Sequence, residues 1–198
     1  MKILAFTDLH GNKKGMHSII NKFTKNNPEL LICAGDLTDF GRNLDKICRE
    51  FNKFDVPVFV TLGNHEIEKE LILMSKKYKN IIYLHKIFYE YKNCLFFGFG
   101  GGGFGYRIPE FEAFVKKNKV KFKTKKQLIF VTHAPIYNTK LDILGENHVG
   151  CKSTRDFIEK FKPALVFCGH FHENENKTDY IGKIKIVNPG YEGMIIEA

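Results

Sequence analysis

Short apolar runs separated by longer amphipathic stretches most narrow the folds open to this chain. KILAF, LLICA, PVFVTL, IIYL, CLFFGF, QLIFVT, ALVFC and KIKIVN are bounded by turn residues and too short for core helices, so they read as strands. Between them, His17 to Asn26, Leu44 to Lys53, Ile67 to Lys79, Pro109 to Asn118 and Thr154 to Phe161 carry apolar residues three or four apart. These read as helices, with Ser153 or Thr154 capping the last. The alternation predicts an α/β layered fold. Near the end, KTDYIGKIKIV joins two strand runs through Gly182, and YEGMIIEA follows a turn at NPG. Both read as hairpins, so mixed rather than wholly parallel sheet is expected.

A length of 198 residues suits one domain, taken as residues 1–198. Folding at that size hides roughly 70% of the unfolded chain's surface, enough for a core without staples. A hydrophobic fraction of 43% argues against wholesale disorder. No apolar run approaches the ~20 residues of a membrane span, and the chain opens on the strand-like KILAFT with no signal-peptide pattern. The five cysteines include no CxxC pair, so neither a zinc knuckle nor a disulfide framework is suggested. Cys33 and Cys168 lie inside apolar runs and read as small core residues. These features predict a cytoplasmic protein with no membrane association.

The net charge of +9 admits a nucleic-acid partner. However, the lysines scatter through helix-like segments and alternate with few aromatics, KKNKVKFKTKK from Lys116 to Lys126 being the densest run. A solvated basic face is the favoured reading, with nucleic acid as the alternative.

Five of the strand runs end in polar residues. KILAFT leads to Asp8 and His10, LLICAG to Asp36, VFVTLG to Asn64 and His65, LIFVT to His133, and ALVFCG to His170 and His172. Ligands of open α/β sheets bind outside the carboxyl ends of strands, so these side chains are expected to converge. Gly35, Gly63 and Gly169 would let the backbone turn and approach closely. Extended backbone at Asp8/His10 and at His170/His172 would bring both members of each pair to one cluster. Carboxylates, an amide and several imidazoles packed without a cation would be poorly satisfied. Their number exceeds one tetrahedral site and suits two divalent ions bridged by Asp36. Mixed N/O ligation without cysteine favours Mn, Fe, Zn or Ni, Mn first. Two ions would leave a small positive surplus, suited to an anionic phosphoryl group and in-line displacement.

Together DLH (Asp8, His10), GD (Gly35, Asp36), GNHE (Gly63 to Glu66), THAP (His133) and GHFH (Gly169 to His172) resemble, in order, the motifs of the calcineurin-like metallophosphoesterases. They span residues 8 to 172, nearly the whole chain, and none of the set departs from the pattern. The resemblance implies a four-layer α-β-β-α sandwich, two mixed β-sheets flanked by helices. It also implies one metal held by Asp8, His10, Asp36 and His172, and a second by Asp36, Asn64, His133 and His170. His65 would be no ligand but a catalytic residue facing the leaving group or a phosphoryl oxygen.

The resulting expectation is a binuclear metal-dependent phosphoesterase, a phosphodiesterase first, in which a metal-bridging hydroxide attacks phosphorus in line. A small phosphomonoesterase or nucleotidase is the alternative within the class, and a metal-retaining, non-catalytic binding module the alternative outside it. His148, in a loop expected to overhang the metals, and Tyr106 and Arg107, after the glycine-rich FGGGGFG, are candidate substrate contacts. That loop could be a phosphate nest or a simple turn. Asp39 and Glu66 could support the motif residues they follow or face solvent. His17 and His85 read as surface or capping residues.

Overall fold

Alternation of side chains along the strands sorts the core into layers. The computed structural model describes all of residues 1–198. In chain order its elements are β1 (Lys2–Phe6), α1 (Lys13–Asn26), β2 (Leu30–Cys33), α2 (Leu44–Phe51), β3 (Val58–Val60), α3 (Glu68–Lys77), β4 (Ile81–Tyr83), β5 (Ile87–Tyr91) and β6 (Cys94–Phe99). Next come α4 (Pro109–Lys117), β7 (Gln127–Thr132), the two-residue strands β8 (Ile143–Leu144) and β9 (Asn147–His148), α5 (Lys152–Phe161) and β10 (Leu165–Phe167). A 3-10 turn at His172–Asn174, β11 (Lys177–Ile181), β12 (Ile184–Asn188) and β13 (Met194–Glu197) complete the chain.

One sheet has the order β13-β1-β2-β3-β4 and the other β11-β12-β10-β7-β6-β5. Leu4, Phe6, Leu31, Cys33, Val58 and Val60 face outward from the first sheet and pack with Ile19 of α1, Ile47 and Phe51 of α2 and Leu71 of α3. Their neighbours Ile3, Ala5, Leu30, Ile32 and Phe59 face inward against Phe96, Ile129, Val131, Leu165, Phe167 and Val187 of the second sheet. The far side of that sheet, including Phe97, Phe130 and Val166, packs on Phe111 of α4 and Phe157 and Ile158 of α5. The result is the four-layer α-β-β-α sandwich. No helix is long and apolar enough to cross a membrane.

The tail departs from expectation. β11 and β12 form the antiparallel hairpin around Gly182, but β13 does not continue it. Both edges of β12 are already occupied by β10 and β11, so the last strand crosses to the first sheet and pairs antiparallel with β1. β5, absent from the sequence reading, is a half-exposed edge strand antiparallel to β6.

Helix starts also differ. Asn12 Oδ1 accepts the N–H groups of Lys14 and Gly15, so α1 begins at Lys13 rather than His17. Neither Ser153 nor Thr154 caps α5, which starts after Cys151. Ser153 Oγ accepts from the Ile108 N–H and donates to Glu112, while Thr154 Oγ1 donates to the Cys151 carbonyl.

Candidate metal centre

The loops after β1, β2, β3, β7 and β10 meet at one edge of the sandwich. Backbone hydrogen bonds lace them together: Asp8 N–H to Gly35 O at 3.0 Å, His10 N–H to Asp36 O at 3.0 Å, and Gly169 N–H to His133 O at 3.1 Å. The chain is not extended there. Asp8 (φ 52°), His10 (φ 47°), Asp36 (φ 51°) and His170 (φ 75°) all adopt left-handed conformations. Such backbone is uncommon in residues bearing a Cβ, and non-glycine examples gather at functional sites. The reversal turns each loop back on itself, so convergence comes from sharp turns and not from an extended i, i+2 pair. Two glycines serve close approach: a Cβ on Gly63 would overlap Asp36, and one on Gly169 would overlap Thr7 and lie 2.7 Å from Asp8 Oδ2.

Three overlapping groups hold ligand-type atoms within 4.8 Å of one another: Asp8/His10/His172, His10/Asp36/His65, and Asp36/His133/His170. Asp36 Oδ2 lies 3.6 Å from His10 Nε2 and 3.4 Å from His133 Nε2. Asp8 Oδ1 lies 3.8 Å from His172 Nε2 and 4.0 Å from His133 Nε2. Asn64 Oδ1 is 3.1 Å from His133 Nε2. All seven sequence-predicted metal residues therefore sit in one continuous cluster, with His65 against it.

The donor set fits divalent cations. Two of its buried atoms, Asp8 Oδ1 and His170 Nε2, have no hydrogen-bond partner, although buried polar atoms are rarely left without one. The opposite atoms are fixed: Asp8 Oδ2 accepts from Thr7 Oγ1 at 2.8 Å and from the His170 N–H at 3.0 Å, and His133 Nδ1 meets Ala34 O at 2.9 Å. Asp36 Oδ1 accepts the His65 N–H at 3.0 Å. One face of each group is thus locked by protein and the other is left toward the cluster, the arrangement expected of ligands oriented from behind.

Ionisation agrees. Burial pushes His170 down to about 4, and it lowers His10 as well, which favours the neutral imidazole that binds metal. Burial opposes charge on Asp36, but His133 and the His65 N–H outweigh it and hold the carboxyl at about 2. Burial likewise opposes charge on His133, yet the Asp36 and Asp8 carboxylates raise it to about 9. Cation binding between Asp36 and His133 is therefore coupled to proton release.

Supporting residues surround the cluster. Glu66 accepts the backbone N–H groups of Asp36, Thr38 and Gly63 at 3.0, 3.1 and 2.8 Å. Asp39 Oδ1 lies 3.2 Å from His65 Nδ1. Glu175, unmarked in the sequence, places Oε1 3.4 Å from His172 Nδ1; its position three residues after that histidine was the available signal. Two exposed aromatics were also missed, Phe40 against His65 and Phe104 against His170.

The remaining candidate residues have partners of their own. Arg107 donates to Glu112 and Asp156 in a groove of 480 Å³ between α4 and α5, so its guanidinium is turned away from the cluster. Tyr106 is exposed and packs edge-on against Tyr137. His148 forms part of β9, with Nδ1 held 2.6 Å from Asp142 Oδ1. His85 is buried rather than superficial, and its Nδ1 accepts the Gly100 N–H. The Lys116–Lys126 run leads from the end of α4 to the residue before β7, at the opposite end of that strand from His133.

Comparison with known proteins adds a second line of support. A family model described as calcineurin-like phosphoesterase matches residues 1–174. An uncharacterized protein of Methanocaldococcus jannaschii is 34% identical over 207 residues, covering 99% of this chain and 91% of that protein. A probable glycerophosphodiester phosphodiesterase of Arcobacter nitrofigilis is 28% identical over 161 residues, covering 75% of this chain and 58% of its own length. A crystal structure from Thermus thermophilus superposes with a TM-score of 0.76 at 17% identity, covering 96% of this chain and 88% of that one, a likeness of fold.

Proposed function

Because the chain belongs to the calcineurin-like phosphoesterase family, we propose that it is a phosphodiesterase working with two divalent metal ions. The observation carrying this reading is the cluster centred on Asp36, with unpartnered Asp8 Oδ1 and His170 Nε2 buried in it. Asp8, His10, Asp36 and His172 would hold one ion, and Asp36, Asn64, His133 and His170 the other. Manganese is the ion we assign, on the mixed nitrogen and oxygen donors. When bound, the ions supply positive charge to the phosphoryl oxygens and to the attacking water.

The residues themselves set the direction of approach. Asp8, Asp36 and His133 are buried, whereas His172 is exposed and His10 and His65 partly so. Substrate enters on the side of these three histidines. His65 Nδ1 donates to Asp39, which leaves Nε2 facing the cluster 4.0 Å from Asp36 Oδ2. Protonated at Nε2, His65 donates to the leaving oxygen as the P–O bond breaks. Glu66 keeps the turn at Asp36 fixed through its three backbone bonds. The diester preference is supported by the glycerophosphodiester phosphodiesterase relative. We assign the activity to a single domain of residues 1–198 in the cytoplasm, where five buried free cysteines suit a reducing environment.

The test is turnover of a panel of diesters and monoesters by chelated protein with manganese restored. Bis(4-nitrophenyl) phosphate should be cleaved faster than 4-nitrophenyl phosphate. The reverse order would favour a phosphomonoesterase. No hydrolysis of either by protein carrying two ions would favour a metal-retaining binding module.

A further inference from the structure

Two phenylalanines stand in solvent against histidines of the cluster. Phe40 is 70% exposed, its ring centroid 4.3 Å from that of His65. Phe104 is 66% exposed and lies edge-on to His170, with centroids 4.6 Å apart. A lone exposed apolar residue needs no explanation. Two that sit on different histidines of one polar centre do.

Unusual backbone presents both rings. Phe40 has φ 50°, a left-handed conformation unfavourable to a bulky residue, and Gly41 follows at φ 77°. The turn is braced by the Gly41 N–H to Thr38 Oγ1 and the Arg42 N–H to Asp39 O. Phe104 follows Gly101, Gly102 and Gly103, all with positive φ. That loop is pinned by the Gly101 N–H to Leu62 O and the Gly100 N–H to His85 Nδ1. Gly103 passes close enough to His170 that a Cβ there would lie 3.7 Å from Nε2. Strained non-glycine backbone held by its surroundings, as at Phe40, is a mark of function, and the glycine run, free to take positive φ, holds Phe104 against His170 on the same centre.

We propose that Phe40 and Phe104 are stacking platforms for the organic groups of the ester, and that the substrate is a small phosphodiester carrying a nucleobase. The inference rests on the phosphodiesterase reading above. A phenyl face stacks on any base, whatever its edge pattern. Gly41, Gly103 and Gly105 beside the rings have no side chains with which to read base edges, so selection among bases is weak. The Lys116–Lys126 run lies at the far end of β7, away from these rings, so a long polymer backbone finds no basic track from it. A bare glycerol group would leave both faces unused.

Isothermal titration of the manganese-loaded protein with adenosine 5′-monophosphate, uridine 5′-monophosphate and glycerol 3-phosphate tests this without turnover. Both nucleotides should bind roughly tenfold or more tightly than glycerol phosphate, the span of one stacked base. Phe40→Leu and Phe104→Leu keep apolar bulk without a ring; each should cut that preference about fivefold or more, with circular dichroism and metal content unchanged. Equal affinity for all three ligands overturns the proposal, and an unchanged preference in either variant overturns it for that ring. A second arm compares thymidine 5′-(4-nitrophenyl) phosphate with methyl 4-nitrophenyl phosphate, which share a leaving group. Nucleotide preference in titration with cleavage of neither ester would remove the phosphodiesterase reading and leave the stacking. Cleavage of both at equal kcat/KM would remove the stacking and leave the phosphodiesterase.

Discussion

Gly63 and Asp36 pack so closely that a methyl group on the glycine would overlap both Asp36 Oδ1 and the Asp36 backbone nitrogen. Gly63 has an ordinary φ, so what it contributes is space and not backbone freedom. Gly63→Ala should therefore cost at least about 2 kcal/mol by forced displacement of the β2 turn. In melting temperature that is roughly 5 °C or more. Metal content should fall with it, because Asp36 belongs to two of the three ligand groups. Wild-type melting and metal content in this variant would show that the turn accommodates the methyl group.

Asp36 is shared between groups containing His10 and His133, whereas Asp8 belongs to the group with His10 and His172. Asp36→Asn should lower occupancy at both positions and abolish activity; Asp8→Asn should mainly empty one. Elemental analysis after dialysis decides the matter. Two ions per chain in the Asp36 variant would sink the bridging role.

His85 offers a pH test away from the ligands. Burial, and secondarily the Lys86 charge, lower it from 6.5 to about 4 in the folded chain. The unfolded chain therefore binds the proton more tightly, and this group's stability contribution is lost as pH falls from about 6.5 toward 4. Roughly 2 kcal/mol should disappear between pH 7 and pH 4.5. His85→Asn keeps a side-chain acceptor for the Gly100 N–H and should lack that loss. Urea unfolding of both metal-free proteins at the two pH values isolates the difference, since carboxylate titrations common to both cancel. Equal pH dependence would mean that His85 does not titrate in this window.

That polar residues would gather at one edge was legible in the sequence, because a strand run ending in Asp, His or Asn leaves the side chain nowhere else to go. The same runs showed an α/β layered fold, whereas its division into two sheets and four layers came from the family resemblance. The left-handed backbone at Asp8, His10, Asp36 and His170 was not legible. It depends on cross-loop bonds such as Asp8 N–H to Gly35 O, which no local pattern encodes. β13 escaped for a related reason: its partner was decided by which strand edges remained open. Ser153 looked like a cap, but its hydroxyl is taken by Ile108 and Glu112 from elsewhere in the chain. Glu175 and the two exposed phenylalanines acquire meaning only from what they touch.

The +9 charge separates polymer from small-ester substrates. With the densest lysine run remote from the metal residues, small diesters should be cleaved faster than single- or double-stranded nucleic acid. Binding of a small ester should show ordinary screening. A duplex substrate would instead lose affinity with a log–log slope near −0.9 for each phosphate neutralised. Faster degradation of polymer, with such a slope, would reverse this assignment.

His65 carries the sharpest mechanistic prediction. Its backbone N–H binds Asp36 Oδ1 and its Nδ1 meets Asp39, so the ring is held from two sides while Nε2 stays free. His65→Ala should keep the fold and both metals yet lose roughly 10²–10⁴ in kcat, the usual span for a positioned acid–base group. The loss should be smaller for nitrophenolate esters, whose leaving groups need little protonation, than for alkyl esters. Asp39→Asn should lie between wild type and His65→Ala, down about tenfold to a hundredfold, since it weakens orientation without removing the imidazole. A loss uniform across leaving groups would assign His65 to stabilising a phosphoryl oxygen instead. Unchanged turnover of alkyl esters in His65→Ala would take the residue out of the mechanism. The departing oxygen would then have to draw its proton from solvent on the open side near His10 and His172, and the Asp39–His65 pair would be a structural brace for the β3 turn.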